Sequence, residues 1–135
     1  MSFSLNSKIY IAGHNGMVGS ALFRKLKSLG YCNLILKSSK DLDLRNQKKT
    51  QDFFKKEQPE FVFLAAAKVG GILANSTFKA DFIYDNLMIQ NNVLKNAHYY
   101  GVEKLLFLGS SCIYPKDSLQ PIKAEYLLSG YLEST

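Results

Sequence analysis

Apolar residues in this chain fall into short unbroken runs, separated by longer stretches in which they recur every three or four positions. KIYIAG (8–13), NLILK (33–37), FVFLAAA (61–67) and KLLFLG (104–109) are runs of the first kind. Each is short and apolar on both faces, which predicts a buried strand. Met17, Val18, Ala21, Leu22, Leu26 and Leu29 keep helical spacing, and Gly30 closes that segment. A second helix is predicted over 46–57, with Phe53 and Phe54 opposite lysines and Pro59 as its stop. A third, over 80–100, turns Phe82, Ile83, Leu87, Ile89, Val93, Leu94 and Ala97 inward, with Gly101 beyond its end. KVGGILANST (68–77) reads as loop and turn. The order β-α-β-α-β-α-β, with strands apolar on both faces, predicts an α/β fold: a doubly wound parallel sheet covered by helices on both sides.

The loop between the first strand and first helix is GHNGMVGS, with Gly13, Gly16 and Gly19 spaced G-x-x-G-x-x-G. The first glycine permits a tight turn, the second lets a pyrophosphate approach the backbone, and the third lets the helix pack close to the strand. The amides of Asn15, Met17 and Val18 then face a phosphate at a helix N-terminus. Strand, glycine loop and helix in one βαβ unit are the context of an NAD(P)-binding Rossmann fold. At the end of the second strand an NAD site carries an acid for the ribose 2′-hydroxyl. LILKSSKD offers Lys37, Ser39 and Lys40 instead, with no acid before Asp41, which favours NADP; a solvated loop is the competing explanation. Asp43 and Leu44 are placed to border an adenine ring, although Asp43 is equally suited to cap the following helix. Ala65 and Ala66, at the end of the third strand, are small enough for a dinucleotide to lie against the sheet edge.

Composition alters this picture little. The chain has 135 residues, enough for one modest domain, with 47% apolar and 21% charged residues. The net charge of +6 is spread over helix faces at Lys25, Lys27, Lys48, Lys49, Lys55 and Lys56, with no compact basic stripe. That argues against nucleic acid as a partner and suits a small anionic ligand. No apolar run reaches membrane-spanning length and no secretory leader is evident, so no membrane partner is expected. Cys32 and Cys112 are far apart and match no metal-ligand spacing. Free thiols and a cytoplasmic location are expected, with Cys32 in the core, and no bound metal.

The fourth strand delivers LLFLGSSCIYPK (105–116), in which Leu108 and Gly109 lead into Ser110, Ser111 and Cys112. Together with IAGHNGMVGSAL, FLAAAKVGGILAN and ADFIYDNLMIQNNVL, this stretch resembles the GDP-L-fucose synthase branch of the extended short-chain dehydrogenase/reductase family, from about Lys8 to the C-terminus. The resemblance implies NADP(H)-dependent epimerisation and reduction of GDP-4-keto-6-deoxy-D-mannose to GDP-L-fucose, in a homodimer. It assigns Ser110 as the catalytic serine that hydrogen-bonds the 4-keto oxygen, and Cys112 as the thiol that exchanges protons on carbons beside that ketone. A ketone acidifies its α protons, so a nearby thiol can serve as base and acid without a metal. A small half-buried side chain is the alternative for Cys112. Leu108, Gly109 and Ser111 are expected near the cofactor, Ser111 equally as a loop hydrogen bonder. Lys68 is left between phosphate contact and solvation. Asn86 is left between the substrate site and a buried asparagine bonded to backbone. His14 is expected to be a turn residue.

Two positions depart from the family pattern. Relatives commonly carry arginine where this chain has Asn15 and Ser39, and Lys37 and Lys40 would replace them only as point charges. Tyr100 alone has a lysine four residues later, Lys104 at the start of the fourth strand, and the family's Tyr-x-x-x-Lys pair is expected beyond Thr135. The chain therefore reads as the N-terminal part, 1–135, of a dinucleotide-binding domain whose remaining strands and substrate domain lie elsewhere. The fourth strand is then an edge in need of cover. A related GDP-deoxysugar epimerase/reductase with another product, and a non-catalytic dinucleotide-binding fragment, are the competing readings.

Overall fold

A computed structural model describes residues 4–132. Strands β1 (Ile9–Ala12), β2 (Leu34–Ile35), β3 (Phe61–Leu64) and β4 (Lys104–Phe107) form one parallel sheet in the order β2-β1-β3-β4. Helices α1 (Met17–Ser28), α2 (Gln47–Glu57), α3 (Ile72–Thr77) and α4 (Lys79–Tyr99) fill the connections. The chain runs from β1 outward to β2, then crosses back over β1 to β3 and on to β4. The order therefore reverses beside β1, and a crevice opens between the C-terminal ends of β1 and β3, where Ala12 pairs with Leu64.

The sheet has two cores. Ile9, Ile11 and Phe61 pack with Phe23 and Leu26 of α1. Tyr10, Ala12, Val62 and Leu64 pack on the opposite face with Phe53 and Phe54 of α2 and Val93 and Ala97 of α4. β1 is buried at every residue because helices cover both its faces, which explains its unbroken apolar run. Phe54 is fully buried, its ring edge-on to Tyr10 at 6.2 Å and to Phe53 at 5.4 Å. Burial pushes the Tyr10 phenol well above its ordinary range, so it stays neutral.

Four expectations are corrected. The segment expected as loop at 68–77 contains α3, within which the Ser76 and Thr77 hydroxyls donate back to the Leu73 carbonyl. β2 is two residues long, a short edge strand within the expected five-residue run. Cys32 is exposed, not core, its thiol directed at the Leu5 carbonyl and Asn6. Ile83, Leu87 and Leu94 of α4 are 62%, 46% and 37% exposed, on the face away from the sheet. The face that docks carries Asp85, Asn92, Val93, Asn96 and Ala97. α4 has apolar residues around most of its circumference, so spacing alone did not select the docking face. The polar members are accommodated because Asn92 donates to the carbonyls of Leu44 and Arg45, and Asn96 to that of Asn92. β4 is an edge strand, as expected, with Leu106 and Phe107 nearly half exposed.

The joint between β1 and α1 is the tightest in the molecule. Gly13 has φ +85°, and a Cβ there would lie 2.7 Å from the backbone of Ala65 and Ala66. A Cβ on Gly19 would lie 2.1 Å from the Gly13 carbonyl oxygen, whereas one on Gly16 would meet the same oxygen at 3.3 Å. Gly19→Ala is therefore expected to cost about 1–3 kcal/mol of stability through overpacking, and Gly16→Ala clearly less. Urea denaturation of both variants checks the ranking; equal losses would contradict it. Phe54→Ala, which empties the ring cluster, is expected to cost about 3–5 kcal/mol by the same measurement.

Candidate active site

A cavity of about 720 Å³ occupies the crevice beyond β1 and β3. Its walls come from three connections. The glycine loop contributes Gly13, His14, Asn15, Gly16, Met17 and Val18, and the segment after β2 contributes Lys37, Ser38, Ser39, Asp43, Leu44 and Arg45. The segment after β3 contributes Ala65, Ala66 and Lys68, and Asp85 and Ile89 of α4 close the far side. Gly19 stands behind the loop, where its missing side chain lets α1 dock.

The α1 N-terminus opens into this space. Its N-cap, Gly16, has no side chain and makes no capping bond, so the first-turn N–H groups keep the open donor capacity of a helix start. Lys37 makes no side-chain hydrogen bond or ion pair among the described residues. The two nearby acids are both engaged. Asp41 accepts from the Ser38 hydroxyl at 2.6 Å and from the Ser38 amide at 3.3 Å, which holds its carboxyl below the usual range. Asp43 is gripped by the Arg45 guanidinium, from Nε and NH2 at 2.9 Å each, and is lowered likewise. Asp43 does not cap α2; Asn46 does, accepting from the Lys49 amide. Cations and free N–H groups against a wall with no free carboxylate fit a phosphate-bearing dinucleotide.

The floor is held by α4. Lys68 directs its Nζ to Asp85 Oδ2 at 2.9 Å, and Arg45 reaches the same oxygen at 3.1 Å. The hydrogen bond from Lys68 is the main reason that the Asp85 carboxyl lies below its ordinary range, with Arg45 acting in the same direction. Asn86 spends its side-chain amide on Lys68, accepting from its N–H at 2.7 Å and donating to its carbonyl at 3.0 Å. Of the two possibilities open for Asn86, the backbone-bonded one describes its contacts here. Sequence reasoning passed over Arg45, Asp85 and Ser38 as wall residues and placed His14 only in a turn. The available signals were slight: an arginine two positions from an acid outside a helix, and an acid on α4 beside Asn86.

Leu108, Gly109, Ser110, Ser111 and Cys112 do not line this cavity; all five are exposed beyond β4. The Leu108 amide donates to the Leu64 carbonyl, so the segment leaves the sheet on the same C-terminal rim, one strand over. Ser110 caps a 3-10 turn over Ser111–Ile113, its oxygen accepting from the Cys112 amide at 3.1 Å. That bond uses a lone pair and leaves the hydroxyl proton free to donate. The Cys112 thiol is exposed and unbonded to other cysteine.

Sequence and fold comparisons agree on this architecture. A curated relative, the putative GDP-L-fucose synthase 2 of Arabidopsis thaliana, is 56% identical over 130 residues, covering 96% of this chain and 40% of its own length. A solved GDP-D-glycero-L-gluco-heptose synthase from Campylobacter jejuni, in the presence of NADPH, superposes with a TM-score of 0.92 at 51% identity, over 98% of this chain and 38% of that one. The GDP-mannoheptose C4 reductase of the same organism, with NADP bound, gives 0.92 at 51% identity, over 98% and 42%. The chain thus spans about 40% of the length of the relatives it matches. The profile of the NAD dependent epimerase/dehydratase family matches residues 9–135, and with the crevice and its glycine loop this places the chain in that family.

Proposed function

We propose that this chain is the cofactor-holding N-terminal part of an NADP(H)-dependent enzyme that epimerises and reduces a GDP-4-keto-6-deoxysugar, as in the formation of GDP-L-fucose. The observation that carries the cofactor assignment is the wall after β2. Lys37 makes no hydrogen bond or ion pair there among the described residues, while Asp41, whose charge it feels, and Asp43 are both held by hydrogen bonds, so a 2′-phosphate meets a cation not committed to a direct contact. The bound dinucleotide supplies the hydride. Gly13, Gly16 and the first-turn amides of α1 bind its pyrophosphate, Ser39 and Lys37 its 2′-phosphate, and Ala65 and Ala66 its apolar flank.

Ser110 and Cys112 act from the neighbouring strand end. The Ser110 hydroxyl, its oxygen fixed by the Cys112 amide, donates a hydrogen bond to the keto oxygen and steadies negative charge as it develops there. The Cys112 thiol exchanges protons on the carbons beside the ketone, which the same polarisation acidifies. The sugar partner, the GDP recognition surface and a homodimeric assembly belong to the full-length protein. A second reading is favoured by the heptose enzymes among the solved relatives, named for synthesis and C4 reduction of GDP-heptoses. On that reading this protein reduces a GDP-4-keto sugar with a different product. Cys112 distinguishes the two, since reduction alone needs no α-proton exchange.

In the full-length protein, Cys112→Ser is expected to abolish solvent-deuterium incorporation beside the ketone while leaving NADPH oxidation with an already epimerised 4-keto substrate. Mass spectrometry of the product and absorbance at 340 nm read the two steps, and equal loss of both would remove the thiol from the assigned role. Lys37→Met is expected to weaken NADPH by about 10-fold and NADH little, the size of one lost charge-assisted phosphate contact. Parallel titrations with the two dinucleotides measure it; an unchanged preference would move the 2′-phosphate elsewhere.

A further inference from the structure

The cavity holds four charged residues in an alternating chain, Asp43–Arg45–Asp85–Lys68, whose charges cancel. A lysine beside a dinucleotide pocket invites assignment as a phosphate ligand, but Lys68 is engaged at three points. Its N–H and carbonyl are both bonded to Asn86, its ammonium is bonded to Asp85, and that ammonium stands 5.5 Å from the centre of the Phe82 ring. Phe82, Asp85 and Asn86 are at i, i+3 and i+4, one face of α4. Lys37, by contrast, makes no side-chain hydrogen bond or ion pair among the described residues.

The segment between β3 and this grip is Ala65, Ala66 and Ala67, whose methyl groups have little to hold themselves with. Its near end is tied by the Ala65 amide to the Ala12 carbonyl at 3.0 Å, and its far end by Asn86 and Asp85. Asp85 Oδ2 also takes Arg45, whose remaining bonds hold Asp43, so one oxygen joins the wall after β3 to the wall after β2. We propose that Lys68 is a positioning residue. Gripped by Phe82, Asp85 and Asn86, it fixes the Ala65–Lys68 wall and, through the Asp85 oxygen shared with Arg45, the width of the cavity between that wall and Asp43–Arg45. This rests on the dinucleotide assignment above, and it gives Lys68 a role that does not involve phosphate.

An anchor and a phosphate ligand respond differently. Loss of a 2′-phosphate ligand weakens NADPH but spares NADH, which lacks that group, and loss of a pyrophosphate ligand weakens both but leaves hydrogen exchange in the ligand-free protein unchanged. Loss of an anchor loosens a wall that both share, and pre-organisation is lost for both. In the full-length protein, Lys68→Met is expected to weaken NADPH and NADH together, by about 3- to 10-fold each, with their ratio unchanged within about 2-fold. Amide hydrogen exchange over residues 65–70, measured without ligand, is expected to accelerate. Asp85→Asn, which keeps the shape and removes the charge, should do the same, and the double variant should be little worse than either single because the two act through one contact. Lys68→Arg, able to reach Asp85, should restore slow exchange.

Weaker NADPH binding, with or without weaker NADH binding, alongside unchanged exchange would overturn the proposal and make Lys68 a phosphate ligand. Unchanged affinity and unchanged exchange would overturn it outright. Should the wild-type protein bind neither dinucleotide, the cofactor assignment fails, and with it the claim about cavity width. The exchange comparison would then decide whether Lys68 anchors the segment at all.

Discussion

The crevice exists because two side chains are missing. Gly13 lies against the backbone of Ala65 and Ala66, and Gly19 against the Gly13 carbonyl, at separations that no Cβ could share. Those contacts bring the start of α1 to the ends of β1 and β3 at once, where the strand order reverses. From that one joint follow the position of the helix N-terminus, the depth of the cavity and the distance from its open N–H groups to the wall after β2. The two cores hold the layers together. Only the glycines make the layer arrangement into a phosphate-sized opening.

A second constraint is carried by α4. Its docking face is not the apolar stripe that a surface helix ordinarily presents. Asp85, Asn92 and Asn96 are buried among the groups they bond, and their partners are mostly in loops: Lys68 after β3, Leu44 and Arg45 after β2. Each loop would otherwise need its own means of satisfying exposed carbonyls near the cavity. α4 satisfies them instead, trading apolar burial for the fixing of two connecting segments. The price is an apolar outer face, with Ile83, Leu87 and Leu94 turned away from the sheet.

These two constraints differ in how far they can be seen from sequence. The four strands, the parallel sheet and the glycine loop are legible because each is a local pattern: unbroken apolar runs, and glycines at fixed spacing between a strand and a helix. Lys37, Ser39, Asp43, Leu44, Ala65 and Ala66 are found as wall residues because the fold type says which strand ends border the crevice. Arg45 and Asp85 escape this logic. They are 40 residues apart in the chain, and their pairing depends on which face of α4 meets the sheet. That face is ambiguous when apolar residues stand on both sides of a helix. α3 is missed for a different reason. It is a six-residue helix that follows two glycines and ends in Asn75, Ser76 and Thr77, residue types that propensity counts against a helix, although the last two hydroxyls find an acceptor in the Leu73 carbonyl.

At Ser110, turn chemistry and the proposed reaction chemistry need not compete. Its oxygen caps a 3-10 turn, as a serine after a strand commonly does. The cap is an acceptor role, and the proposed polarising of a ketone is a donor role, so one hydroxyl has the groups for both. The cap also restricts where the hydroxyl proton can point, since one lone pair is committed to the Cys112 amide. The same bond couples the two residues: the backbone N–H that orients Ser110 belongs to the residue whose thiol is assigned to proton exchange. A serine and a cysteine two positions apart are thereby held in a fixed relation by the turn itself, without a contact between their side chains. The turn follows directly on β4, the last strand of the described sheet, so the strand exit and the cap together set where the two residues stand.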